Sequence, residues 1–545
     1  MSRNPPNDPA RPARTAIPAP ATAIAPAAVA APGTAAMRAA FGVPAAAFTL
    51  AAALLAIAPL AAAESSSGAR AMLSGPERGT LLAGPTLSRI ETGVFSTSKR
   101  IAPAMLAEAL DKAGDALAEV AGKPRCTITT YSLRYSTIGG GGEPTDASTA
   151  LILPSGSDPL CQGPRPVLLY AHGTATAKDH NMARLRGEAK LVAALFTAQG
   201  YIVVAPNYAG YEGSSLPYHP YLNAEQQAAD MTDALRAARA AMQKLKIQPG
   251  PQLFLAGYSQ GGHVALATQR AMQQGGEFNV TAAAGLSGPY AMARFGDTVF
   301  GGQPNAGITL YLPLIATSAQ RAGAAIYSKP EELYESPFAN GIETLLPNQL
   351  KPKELVKQGK LPKRALFARD SQPQASGAAA YFSSPHLVRT SYREAYLQDL
   401  AAHPCDDGSC TPAHNLRKWM LKNDLRNYTP QSPLLLCGGS KDPAVPFFNA
   451  TATAEYFSRH GAPPTVVDLE EQGAPDDFGL PRRAFALIRE EVARRAQEEA
   501  AKSGRSVQEL MLEGYHARMA GAPCLLAARR YFDALLTKPE VLATH

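Results

Sequence analysis

Beyond Pro166 the chain alternates two patterns. Short runs are apolar at nearly every position: PVLLYAHG, YIVVAPNY, QLFLAGYS and VTAAAGLSGPY. Between and beside them lie RLRGEAKLVAALFTAQG, AEQQAADMTDALRAARAAMQKL and GGHVALATQRAMQQG, in which apolar residues recur every three or four positions. Strands apolar on both faces and separated by helices predict a largely parallel sheet covered on each side, an α/β architecture. Upstream, β-rich segments at 126–138 and 147–156 flank GGGGEPTD and predict a hairpin with a long turn. Residues 104–122 have helical spacing, and 64–100, rich in Gly and Ser, predict an irregular lead-in. The four glycines are followed by neither Lys-Ser/Thr nor a helix, so they read as a loop rather than a phosphate cradle.

The alternation stops over 295–430, a stretch of prolines, tyrosines and short helical pieces, and resumes with SPLLLCGGSKDPAVP at 432–446. An insertion of this length between two strands predicts a mainly helical cap ahead of that strand. The core is thus divided into 64–294 and 431–545, with no internal repeat. A strand at 464–471, a charged amphipathic helix over roughly 481–503 and a closing segment that begins LMLEGYHARM complete the chain.

The chain's 545 residues carry a formal charge of +7, but residues 1–63 hold +3 of it, and the remaining +4 is scattered. No basic helix or zinc-finger spacing suggests a nucleic-acid partner. Residues 1–36 are Ala/Pro-rich and lack the large apolar side chains needed for a core, which suggests a disordered extension or a start displaced to Met37. From Met37 a positive start at Arg38, an apolar run over about 45–60 and Ala61-Ala62-Ala63 follow the layout of a signal peptide over 37–63, and hence of a secreted or periplasmic protein. An uncleaved membrane anchor is the alternative reading of the same segment.

All six cysteines lie beyond that segment, as export to an oxidising compartment predicts. Cys405 and Cys410 are close enough to close a small loop, and Cys126 and Cys161 bracket one region. Cys437 precedes Asp442 by five residues and Cys524 follows His516 by eight, so a bond between them would tie together the segments that carry those two residues. No Cys or His cluster has metal-ligand spacing.

Gly257-Tyr258-Ser259-Gln260-Gly261 falls between an apolar run and a helical stretch. A sharp strand-to-helix turn with small neighbours lifts a serine hydroxyl out of a sheet, where it can act as a nucleophile. Such a serine needs a histidine oriented by a carboxylate. Asp442, after the next apolar run, supplies the acid. Of ten histidines, His386, His403 and His414 fall in the cap, His460 on a helix, and His545 at the terminus. His172 and His180 lie upstream, His219 in a loop and His263 on the helix after the serine, which leaves His516 as the base. Two amides must face the developing oxyanion, and those of Gln260 and Thr174, the latter in His172-Gly173-Thr174, are the candidates.

These residues, with PNYAGYEGSS after the second apolar run, resemble the α/β-hydrolase family over residues 126–536. Within that family, the export segment, cysteines and large cap make the chain most similar to secreted lipases and carboxylesterases. It implies an ester hydrolase that needs no cofactor or metal, acts on a small-molecule or lipid ester, and touches lipid surfaces through its cap. A serine exopeptidase of the same fold, with Glu331, Glu332 or Glu335 receiving a peptide terminus, is a second reading. A non-catalytic binding protein on the same scaffold is a third.

Overall fold

The structure, a computed structural model, describes residues 77–91, 97–112, 114–405 and 408–537. The readings for 1–36 and 37–63 fall outside these residues.

The central sheet is built on β1 (Leu81–Leu87), β2 (Thr127–Ile138), β3 (Pro144–Ser155), β4 (Arg165–Ala171), β5 (Ile202–Pro206), β6 (Pro249–Tyr258), β7 (Ala282–Leu286), β8 (Leu434–Gly438) and β9 (Thr465–Asp468). Their order is β1-β2-β3-β5-β4-β6-β7-β8-β9, with the short Arg100–Ile101 strand added beside β2. The first three strands form an antiparallel meander that joins β5 antiparallel, and from β5 to β9 every pairing is parallel. The sheet is therefore mixed, with its parallel part where the fully apolar runs occur. The expectation of an irregular lead-in over 64–100 is corrected by β1. That strand holds Gly84 and Pro85 and is half-exposed at the sheet edge, so it carries neither alternation nor an apolar run.

Side-chain alternation divides the core between the two faces of the sheet. Leu168, Tyr170, Phe254 and Ala256 point to one face, where α1 (Glu188–Leu195) and the C-terminal helices α9 (Gly479–Ser503) and α11 (Gly521–Thr537) cover them with Val192, Phe485 and Phe532. Val167, Leu169, Leu253 and Leu255 point to the other, under α2 (Ala224–Lys244), α3 (Gln260–Gly275) and α8 (Phe448–Arg459), which contribute Met231, Leu266 and Phe457. Each such side chain taken fully out of water contributes about 1.5–3 kcal/mol before entropy is counted. The helix α2 starts where the Asn223 side chain accepts from the Gln226 amide.

Between β7 and β8 lie α4 (Met292–Phe300), α5 (Ile308–Arg321), α6 (Thr390–Ala402) and α7 (Asn415–Lys422), with shorter turns among them. They gather around a separate hydrophobic cluster that includes Phe300, Leu312, Phe367, Tyr396 and Trp419. Disulfides join Cys126 to Cys161, Cys405 to Cys410 and Cys437 to Cys524. The last bond fixes β8 to α11.

The parallel register places the ends of four strands together. Ala171 pairs with Gly257, Tyr258 with Leu286, and Leu286 with Cys437. The segments leaving these strands carry Thr174, Ser259 and Asp442, so residues far apart in sequence emerge at one edge, where open α/β sheets bind their ligands.

Candidate active site

Ser259 is the only residue between β6 and α3, and it turns the chain with φ 59° and ψ −121°. A non-glycine residue at positive φ is strained and persists only where its surroundings hold it. Here the Ser259 amide donates to Leu286 O at 2.8 Å, and Ser259 O accepts from the Gly262 amide at 2.9 Å. Close approach explains the flanking glycines. A Cβ on Gly257 would sit 2.0 Å from Gly261 O, and one on Gly261 would sit 1.9 Å from Ala171 O.

His516 lies in a π-helical turn, Tyr515–Ala520, between α10 (Val507–Gly514) and α11. A π turn within a longer helical run has no distinct residue pattern, although such turns recur at functional sites. His516 Nε2 lies 2.8 Å from Ser259 Oγ, and Nδ1 lies 2.6 Å from Asp442 Oδ2. Asp442 is buried, and its Oδ1 accepts from the Ala444 and Val445 amides at 2.9 and 3.1 Å. Because an ionised carboxylate only accepts, Nδ1 carries the imidazole proton, and the Nε2 lone pair faces the serine hydroxyl.

The segment after β4 approaches the serine from the other side. The Gly173 amide donates to Glu188 at 3.0 and 3.2 Å, and the Tyr170 hydroxyl donates to the same carboxylate at 2.7 Å. Gly173 is thereby committed. The Thr174 and Gln260 amides have no acceptor among the described residues, as oxyanion donors require. The Thr174 hydroxyl lies 2.7 Å from that of Tyr221. Burial raises the Glu188 carboxyl above its ordinary range, while its hydrogen bonds and the nearby His516 oppose the rise. Nothing in the sequence marked Glu188, which reads there as an ordinary first-turn helix residue.

Behind this segment His172, His180 and His219 pack with Tyr208 and Tyr211, His172 stacking on Tyr208 at 4.1 Å. Burial pushes His172 down to about 4 and His219 to about 3, so both are neutral near pH 7. The other described histidines lie outside this group. His263 bonds Asn423 O, His403 pairs with Asp399, and His460 bonds Tyr456 O.

A cavity opens above Ser259, walled by Phe295, Phe300, Ile308, Leu312, Ile315 and Met420 from the helices between β7 and β8. Among the described residues no charged side chain lines it. Glu331, Glu332 and Glu335 are not part of its wall; Glu332 accepts from the Ser328 amide and Glu335 lies beside His386. Among the described residues no helix is long and apolar enough to cross a membrane.

Residues 188–298, which run from α1 through the serine turn into α4, match the prolyl oligopeptidase family. A comparison with curated proteins returns no match. The ligand-bound form of the rice cell wall degrading esterase LipA from Xanthomonas oryzae superposes with a TM-score of 0.61 at 27% identity, covering 85% of this chain and 100% of that one. Another LipA structure gives 0.60 at 27% identity over 79% and 100%. A putative hydrolase from Legionella pneumophila, at 21% identity and TM-score 0.56 over 68% and 89%, shares the fold. The mixed sheet, the strand-end site and these likenesses together make the chain a hydrolase with the α/β-hydrolase fold that resembles the esterase LipA.

Proposed function

We propose that the protein is a serine carboxylic ester hydrolase. The observation that carries this reading is the continuous hydrogen-bonded series Ser259–His516–Asp442 beneath an apolar, uncharged cavity. Ser259 Oγ attacks the ester carbonyl while His516 Nε2 takes its proton, and Asp442 stabilises the imidazolium. The Thr174 and Gln260 amides receive the oxyanion. His516 returns the proton to the departing alkoxide as the C–O bond breaks, and water then cleaves the acyl-enzyme by the same steps in reverse roles. The likeness to LipA, an esterase, supports ester rather than amide chemistry.

The helical segment 295–430 acts as the cap that shapes the acyl pocket, and the core comprises 64–294 and 431–545. Three disulfides support export, with 37–63 as the signal peptide. The test is hydrolysis of p-nitrophenyl esters from acetate to palmitate by residues 64–545, with Ser259→Ala as control. Turnover with a chain-length optimum, abolished in the variant, is expected.

A serine peptidase is the second reading, favoured by the match of 188–298 to the prolyl oligopeptidase family. Peptide p-nitroanilides discriminate the two. The absence of a charged group from the cavity wall weighs against recognition of a peptide terminus there.

A further inference from the structure

Gly173, the residue before the Thr174 amide, is held at both of its polar atoms. Its N–H donates to Glu188, 3.0 Å from Oε1 and 3.2 Å from Oε2. Its carbonyl accepts from Nδ1 of the neutral His172 ring at 2.6 Å, the nearer of the two carbonyls beside that ring, since Asn207 O lies 3.2 Å from Nε2. The Gly173–Thr174 peptide is trans, so the Thr174 N–H points away from the carbonyl that His172 holds. A Cβ on Gly173 would lie 3.3 Å from both Glu188 Oε2 and Tyr258 O, and 3.6 Å from Ser259 Cβ. The pinned residue therefore packs against both Glu188 and the serine turn.

Glu188 reaches this segment from the first turn of α1 and also takes the Tyr170 hydroxyl, from the end of β4, on Oε1 at 2.7 Å. Two donors meeting at one group call for an acceptor, which an ionised carboxylate supplies with no proton of its own. One side chain thus ties the strand end and the segment that follows it to α1. An oxyanion donor lowers the barrier only when it is already aimed at the place where charge develops, and removing one costs about 10²–10³ in kcat.

We propose that Glu188 is the positioning residue of the oxyanion segment: by accepting from Gly173 and Tyr170 it fixes the peptide that carries the Thr174 N–H, and so acts on the transition state through Thr174. This rests on the ester-hydrolase reading. A glutamate that served only the first turn of α1, through the helix dipole, would act on stability and not on turnover.

The experiment measures kcat and KM on p-nitrophenyl butyrate for the wild type, Glu188→Leu and Glu188→Gln, with kcat referred to the Ser259 titrated by a fluorophosphonate carried to completion, so that misfolded protein does not count. Glu188→Leu, which removes both acceptor oxygens, should lower kcat about 30-fold or more while KM changes less than about threefold. Glu188→Gln keeps one oxygen for both donors and should stay within about fivefold of the wild type. An alkyl trifluoromethyl ketone, whose adduct with Ser259 carries the oxyanion, should lose affinity for Glu188→Leu by the same factor as kcat/KM. Where Glu188→Leu does not fold, Glu188→Ala takes its place. Glu188 lines a cavity with Leu191, Ile488 and Arg518, so added formate can reach the vacated position and should restore part of the lost kcat. An unchanged kcat per titrated serine, with only the thermal midpoint lowered, overturns the proposal while leaving the ester-hydrolase reading intact. So does a loss in Glu188→Gln as large as that in Glu188→Leu, a fall in kcat without a matching loss of ketone affinity, or a Glu188→Ala variant that formate does not restore. A wild type that neither turns over the ester nor takes up the fluorophosphonate overturns the ester-hydrolase reading, and the proposal with it.

Discussion

The Tyr258 phenol donates its hydrogen bond to the backbone carbonyl of His516, with the two rings 5.1 Å apart. The residue immediately before the serine thus holds the π turn that presents the histidine. Tyr258→Phe keeps the ring contact and removes the bond, which is worth about 1 kcal/mol. A fall in kcat of roughly fivefold, with KM little changed, is expected from steady-state kinetics on a p-nitrophenyl ester. An unchanged kcat would show that the packing of the turn alone positions His516.

Gly261 cannot accept a side chain. Its added Cβ would meet the Ala171 carbonyl oxygen at 1.9 Å, a backbone atom in the sheet, so strand or helix would have to move. Gly261→Ala should cost about 3 kcal/mol or more and lower the thermal midpoint by several degrees. Gly275, near the end of α3, has open space around its Cβ position, and Gly275→Ala should leave the midpoint unchanged or slightly raised. Equal effects at the two positions would contradict the close approach of β4 to the serine turn.

The legibility of the fold from sequence follows a physical line. The parallel strands were readable because burial on both faces makes them continuously apolar, and the serine turn because close packing admits only glycine at Gly257 and Gly261. The edge strand β1 was not, since an exposed strand interrupted by Gly84 and Pro85 carries no burial pattern. His516 was singled out by elimination and chain order, but its π turn leaves no periodic signature. Glu188 and the Tyr258 hydroxyl act through tertiary contacts made by residues that look ordinary locally. The cavity above Ser259 was equally hidden, because its wall comes from short helices whose apolar residues also form their own cluster.

The Cys437–Cys524 bond spans 87 residues and fixes the strand before Asp442 to the helix after His516, whereas Cys405–Cys410 spans five. In the chain-entropy account the longer closure stabilises more, with typical values of about 2–4 kcal/mol. Cys437→Ala/Cys524→Ala should lower the thermal midpoint more than Cys405→Ala/Cys410→Ala. A larger loss from the short loop would contradict this ordering.

Burial depresses His172 to about 4 and His219 to about 3, from an ordinary value near 6.5. Below pH 6.5 the unfolded chain binds protons that these folded histidines refuse, so their contribution to stability is lost as pH falls towards those values. Buried Asp230, raised to about 7, contributes in the opposite sense between its unfolded value and 7, so a melting curve alone does not isolate the histidines. Imidazole 15N chemical shifts do. Both rings should remain neutral at pH 5, and titration midpoints near 6.5 would show that the cluster is open to water.

The most direct test of the proposed Ser259–His516–Asp442 machinery is covalent labelling by diisopropyl fluorophosphate, with the adduct mapped by mass spectrometry of the digested protein. One adduct per chain on Ser259, formed in parallel with loss of ester turnover and absent from Ser259→Ala, is the predicted result. Full retention of turnover with Ser259 unmodified, or an adduct on another residue that tracks the loss, would contradict the assignment of Ser259 as the nucleophile.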